Sequence, residues 1–187
     1  DFFFMSRTLF IIAVLIVFVS GIQTASDTLG RDGFRVLRDF SKGAQGWVCA
    51  SASGVTKPEV VELGGEKCIG LAVDFPQPVQ LYKERHVPGI LGDIRIVRVS
   101  LFIPQGVEDV EISFFAKNKD GLWFQALSKR KLEPGTWNRV VFDLSGKAGT
   151  VLPEGHFGRW EETSAYRISG VGLQVYSRKP YHGMIGV

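Results

Sequence analysis

The sequence predicts an all-β chain: a two-sheet antiparallel β-sandwich, preceded by a signal-peptide segment. Composition is the first observation. The 187 residues are 45% hydrophobic, 12% aromatic and 22% charged, and include 22 glycines. That suits one globular domain rich in strands and turns, and it excludes disorder, collagen or a coiled coil as the whole answer. Apolar and polar residues alternate in short runs, and no stretch sustains a helical period. Glycine-rich reversals separate the runs at the spacing of hairpins.

The leading residues stand apart from the fold. Ser6, Arg7 and Thr8 precede an unbroken apolar run from Leu9 to Val19, followed by the small and polar residues Ser20, Gly21, Thr24, Ala25 and Ser26. This is the layout of a signal peptide over residues 1–26, so the mature domain, 27–187, is expected to be secreted or periplasmic. A retained anchor is the alternative, but a spanning helix needs about 20 residues, so no stable membrane anchor is expected. Asp1 to Phe4 precede Met5, where a signal sequence would naturally begin, and are assigned no function.

Strands are then expected, in order, near 34–40, 46–53, 59–63, 67–75, 94–103, 110–117, 122–129, 138–144, 168–177 and 183–187. Gly64 to Lys67, and Asn118 to Gly121 with its Asp-Gly pair, read as tight reversals between antiparallel neighbours. Residues 76–93, with Pro76, Pro78 and Pro88, and residues 145–167 read as long connections, the kind that often carries function. Alternation puts Val110, Ile112, Phe114 and Ala116 on one face, with Glu111, Ser113, Phe115 and Lys117 on the other. Likewise Val140, Phe142 and Leu144 oppose Arg139, Val141 and Asp143.

The formal net charge of +3 carries no basic block, which disfavours a nucleic-acid partner. Cys49 and Cys68 are open to two readings: a disulfide closed in an oxidising compartment, or two separate buried thiols. With three scattered histidines they make no metal set. Enzymatic chemistry finds no footing. Glycoside hydrolysis needs paired carboxylates about 5 or 6.5–9.5 Å apart, and Glu161-Glu162, neighbours on a loop, point apart. No nucleophile elbow occurs, and Gly170 and Gly172 lack the third glycine and helix of a dinucleotide site.

Several fragments carry a resemblance. Asp39-Phe40 with Gly46-Trp47, then Gly121-Leu122-Trp123-Phe124-Gln125, Gly135-Thr136-Trp137, Val141-Phe142-Asp143-Leu144-Ser145, Val171 to Val175, and Tyr181-His182-Gly183 resemble the galactose-binding-like jelly roll of carbohydrate-binding modules. Pro153, Gly155, His156 and Trp160 further resemble accessory domains that precede the catalytic domain in exported bacterial glycoside hydrolases, including β-galactosidase-like ones. The resemblance implies a binding or scaffolding role, a carbohydrate partner, a catalytic domain downstream in the same polypeptide, and no catalytic residue in this chain. Such modules often hold a structural calcium. Here Ser41 stands where the resemblance would place a Glu, and the chain stops at Val187, where it would place an Asp. No metal site and no cofactor are therefore assigned. Met184 to Val187 read as half a strand, so the last strand is expected to continue in a longer protein.

Binding sugar takes a flat aromatic to stack on the ring and planar polar groups to pair its hydroxyls. Trp123, Gln125, Gln174 and Tyr176 fall on the outward parity of their strands, and Arg139 on that of its own. His156 and Trp160 are loop candidates for sugar contacts, or else plugs for the end of the sandwich. Trp123 and Tyr176 are open to a second reading, as residues covered by the long loops. Trp47 and Trp137, after turn glycines, read as core-edge residues, while His86 and His182 read as ordinary surface or edge residues. The expected function is a non-catalytic carbohydrate-binding module that positions an attached glycoside hydrolase on a polysaccharide or oligosaccharide. The alternative is a purely structural sandwich packed on the catalytic domain.

Overall fold

Residues 40, 43–84, 88–120, 122–145, 151–154 and 159–187 are described by the structure, a computed structural model of the chain. The leading segment 1–26, and the strand expected at 34–40 short of Phe40, fall outside them. Twelve strands are described: β1 (Val48–Ser51), β2 (Gly54–Thr56), β3 (Glu59–Leu63), β4 (Glu66–Phe75), β5 (Val79–Glu84), β6 (Ile96–Ile103), β7 (Val110–Asn118), β8 (Trp123–Leu127), β9 (Thr136–Asp143), β10 (Val151–Glu154), β11 (Ile168–Ser177) and β12 (Tyr181–Gly186). They form a seven-stranded sheet, ordered β10-β8-β7-β11-β5-β1-β2, and a five-stranded sheet, ordered β3-β4-β12-β6-β9. Every pairing is antiparallel. The protein is an all-β, two-sheet antiparallel sandwich, with a short 3-10 turn at Glu162–Arg167.

Alternation puts the core between the sheets. Leu81, Ile112, Phe114, Phe124, Leu173 and Val175 face inward from one sheet; Ile69, Leu71, Val73, Leu101, Val140, Phe142 and Ile185 face them from the other, and all are buried. The Phe114 and Phe142 rings meet across the interior with centroids 6.0 Å apart. Apolar burial at about 25 cal/mol per Å² makes this interior the main stabilising element.

Every strand expected from residue 46 onward is present. Three others lie where connections were expected. The segment 76–93 contains β5, a central strand between β11 and β1. The segment 145–167 contains β10, an edge strand on β8. β2 pairs with β1 alone. The first reversal is also tighter than expected: Leu63 lies opposite Glu66, so Gly64 and Gly65 alone make the turn, both at positive φ. In the second, Asn118 Oδ1 accepts the backbone N–H groups of Asp120 and Leu122 at 2.9 and 3.0 Å, a side chain standing in for a turn carbonyl.

The five-stranded sheet is unevenly zipped. β12 pairs with β4 along its length but meets β6 only where Gly186 lies opposite Phe102. Near that junction Leu101 and Ile103 are fully buried, whereas Val97 and Val99, inward on the same strand, are half-buried.

Candidate functional site

The outer face of the seven-stranded sheet is built in cross-strand rows. Pairing of β8, β7, β11 and β5 sets Trp123, Lys117, Gly170 and Glu84 side by side. The next outward row is Gln125, Phe115, Gly172 and Tyr82; the one after is Leu127, Ser113, Gln174 and Gln80. Tyr176, opposite Glu111, comes last. Two residues separate successive outward positions, so the rows stand about 7 Å apart.

Packing makes this face flat and aromatic. The Trp123 ring stacks on Phe115 with centroids 4.2 Å apart and planes 16° from parallel, and Phe115 is fully buried beneath it. Gly172 makes room for Phe115. A Cβ there would stand 2.4 Å from Phe115 Cζ and 2.6 Å from the Leu81 carbonyl oxygen, so only glycine lets the ring lie across β11. Gly170 does the same for Lys117, whose Cε and Cγ would each lie 2.9 Å from such a Cβ. The Lys117 ammonium pairs with Glu84 and sits 5.2 Å from the centre of the Tyr82 ring. Gln80 Nε2 donates to Gln174 Oε1 at 2.9 Å. That leaves Gln80 Oε1 as an acceptor and Gln174 Nε2 as a donor, adjacent on neighbouring strands. A half-exposed indole, a phenol ring and a fixed amide pair thus line one surface.

The sequence-predicted residues divide. Trp123, Gln125, Gln174 and Tyr176 share this face, with Gln125 the most buried of them at 7% exposure. Arg139 does not join them. It is exposed on β9, opposite Ser100, and so projects from the other sheet. The parity of Arg139 was sound; sheet membership separates it from Trp123. Of the two readings open for Trp160, sugar contact or plug, the structure has the plug. It is 5% exposed, its Nε1–H donates to the Leu144 carbonyl oxygen at 2.8 Å, and its ring meets Phe124 edge-on at 5.1 Å. His156 lies outside the described residues, as does His86.

Tyr82, Gln80 and Glu84 were missed because β5 was read as a loop. Its alternation, Val79 and Leu81 in with Gln80 and Tyr82 out, was available but overshadowed by Pro76 and Pro78. Trp47 packs at the core edge as expected, edge-on to Phe40 at 5.5 Å. Trp137 does not. It stands on the outer face of the five-stranded sheet beside Phe102, with centroids 5.7 Å apart. Of the two cysteine readings the structure has separate buried thiols: Cys49 faces inward on β1 and Cys68 outward on β4, both free. Burial pushes both thiols above the usual range. Among the described residues no three His, Cys, Asp or Glu side chains are grouped so as to hold a metal ion.

No protein-family model and no curated protein matches the chain. A solved structure reported under carbohydrate-binding modules of the β-sandwich superfamily, and their promiscuous specificity, is similar at 14% identity with a TM-score of 0.48. The match covers 79% of this chain and 57% of that one, so this chain spans little more than half its length. A likeness this distant decides neither ligand nor site.

Proposed function

We propose that the domain is a non-catalytic carbohydrate-binding module whose ligand lies on the outer face of the seven-stranded sheet. The Trp123 platform beside the Gln80–Gln174 amide pair carries this reading. Stacking on an indole needs a flat, supported, partly exposed ring, and hydroxyl recognition needs fixed planar donors and acceptors; this face supplies both. A face that recognises a hydroxyl-rich ligand needs polar groups held beside its ring. This one keeps the Lys117–Glu84 ion pair and the amides. Of the carboxylates on this face, Glu84 and Glu111 form no hydrolytic pair. Lys117, in the row of Glu84, and Glu111 are six residues apart on β7, about 20 Å and well beyond the spacing that flanks one glycosidic bond.

In this reading the leading apolar segment exports the protein to a secreted or periplasmic location. There the module holds an attached glycoside hydrolase at its polysaccharide or oligosaccharide substrate, an arrangement supported by the motif pattern of the sequence. The test is glycan-array screening followed by calorimetry of Trp123→Ala. Loss of the indole is expected to weaken the best glycan by about 1–3 kcal/mol, roughly 5- to 150-fold in Kd. The unfolding free energy should fall by little more than what the Phe115 stack contributes, about 0.5–1.5 kcal/mol. A wild-type protein that binds no glycan on a broad panel overturns the reading in favour of the structural alternative.

A further inference from the structure

The outward rows of β8 and β11 run past the aromatic platform towards the same end of the sandwich. Along β8 the outward positions Trp123, Gln125 and Leu127 lead on to Lys129; along β11, Gly172, Gln174 and Tyr176 lead on to Arg178. There the fold gathers Lys129, Arg130 and Lys131, which follow β8, with Arg178, which follows β11, around an open cleft of about 470 Å³. The sequence hides this gathering, because Lys131 and Arg178 are 47 positions apart and neither run alone makes a basic block. Arg130 is fixed by donating from Nη1 to the Arg139 carbonyl oxygen at 2.7 Å. Lys129, Lys131 and Arg178 have no ion-pair partner among the described residues, although Asp109 and Glu111 line the same cleft. The cleft therefore presents four cations and two carboxylates.

We infer that the ligand of the aromatic face is an anionic glycan, with carboxylate- or sulfate-bearing sugars, whose charged group enters this basic cleft while a neutral ring stacks on Trp123. The inference rests on the carbohydrate reading and adds the ligand class. Trp123 opens β8 and Lys129 lies two residues past its end, at most about 20 Å of extended chain away, so an oligosaccharide laid along β8 reaches both. Asp109 and Glu111 favour a glycan over a nucleic acid. A carboxylate accepts hydrogen bonds from sugar hydroxyls but repels a continuous phosphate backbone.

Calorimetry of the whole chain with a neutral galactan, with galactans of matched length that carry scattered uronate or scattered sulfate units, and with duplex DNA, tests this. The expected result is an anionic glycan bound about tenfold or more tightly than the neutral one, its advantage shrinking as salt screens the cleft. The uronate and sulfate arms show which acid group fits. Lys129→Gln, Lys131→Gln and Arg178→Gln combined should erase that advantage and leave neutral binding unchanged; single Lys129→Gln should erase part of it. Neutral and anionic glycans bound equally, with or without the cleft cations, overturn the inference and leave the carbohydrate reading intact. DNA bound as tightly as the anionic glycan also overturns it, as the mark of an unselective polyanion patch. A chain that binds none of the glycans overturns both.

Discussion

At the scale of single residues, the candidate face depends on Gly172 as much as on Trp123. The glycine has no side chain to offer a ligand; its part is to let Phe115 lie under the indole. In Gly172→Ala the new methyl would meet Phe115 and the backbone oxygen of Leu81, and the backbone cannot move aside cheaply. We expect a cost of about 1–3 kcal/mol in denaturant unfolding, together with weakened glycan binding as the Phe115–Trp123 stack shifts. Full retention of both would show that the stack is unnecessary. Trp160 gives the opposite signature. Trp160→Ala would empty a core site and strip the Leu144 carbonyl oxygen of its donor, lowering stability by about 3–5 kcal/mol. Glycan affinity measured below the lowered melting point should hold, and a selective loss of affinity would return Trp160 to the binding residues.

At the scale of strands, β5 and β6 matter most. β5 is bracketed by prolines yet sits inside the sheet, because Pro76 and Pro78 precede its first paired residue and leave its ladder N–H groups intact. β6 is paired unevenly: Ile96 to Ile103 bond to β9 along their length, but β12 reaches the strand only near Phe102. Slow exchange requires a backbone amide to be both bonded and buried. In this chain, hydrogen exchange resolved by residue should therefore show the β12-facing amides between Ile96 and Val99 exchanging faster than those between Leu101 and Ile103. Uniform protection along β6 would contradict the pairing described here.

For the molecule as a whole, the two buried thiols predict an alkaline limit. Burial disfavours the thiolate in Cys49 and Cys68, so each has a higher pKa in the folded chain than in the unfolded one. The stability tied to the neutral thiols is complete below about pH 8.5, the ordinary thiol value, and is lost as pH rises through the raised folded values. Urea midpoints measured from pH 7 upward should fall beyond that point, more steeply in the wild type than in Cys49→Ala/Cys68→Ala. Equal slopes for the two proteins would assign the alkaline loss to other groups. Both thiols should also resist iodoacetamide in the native state and react on unfolding.

Local pattern by itself determined the fold class, the faces of β7, β8 and β11, and the outward placement of Trp123, Gln125, Gln174 and Tyr176. A strand's side chains alternate with a period of two whatever the rest of the chain does, and glycine-rich turns mark where it reverses. Which strands lie side by side was decided only by the tertiary structure, because pairing joins residues far apart in sequence. Arg139 had the right parity but the wrong sheet. Trp160 had suitable loop neighbours but was drawn into the core by Phe124 and the Leu144 carbonyl. Gln80 and Tyr82 joined the site because β5 docks between β11 and β1, and Lys131 met Arg178 because β8 and β11 both flank β7. Parity is a property of one strand; a site is a property of several, and their order depends on how the two inner faces bury each other.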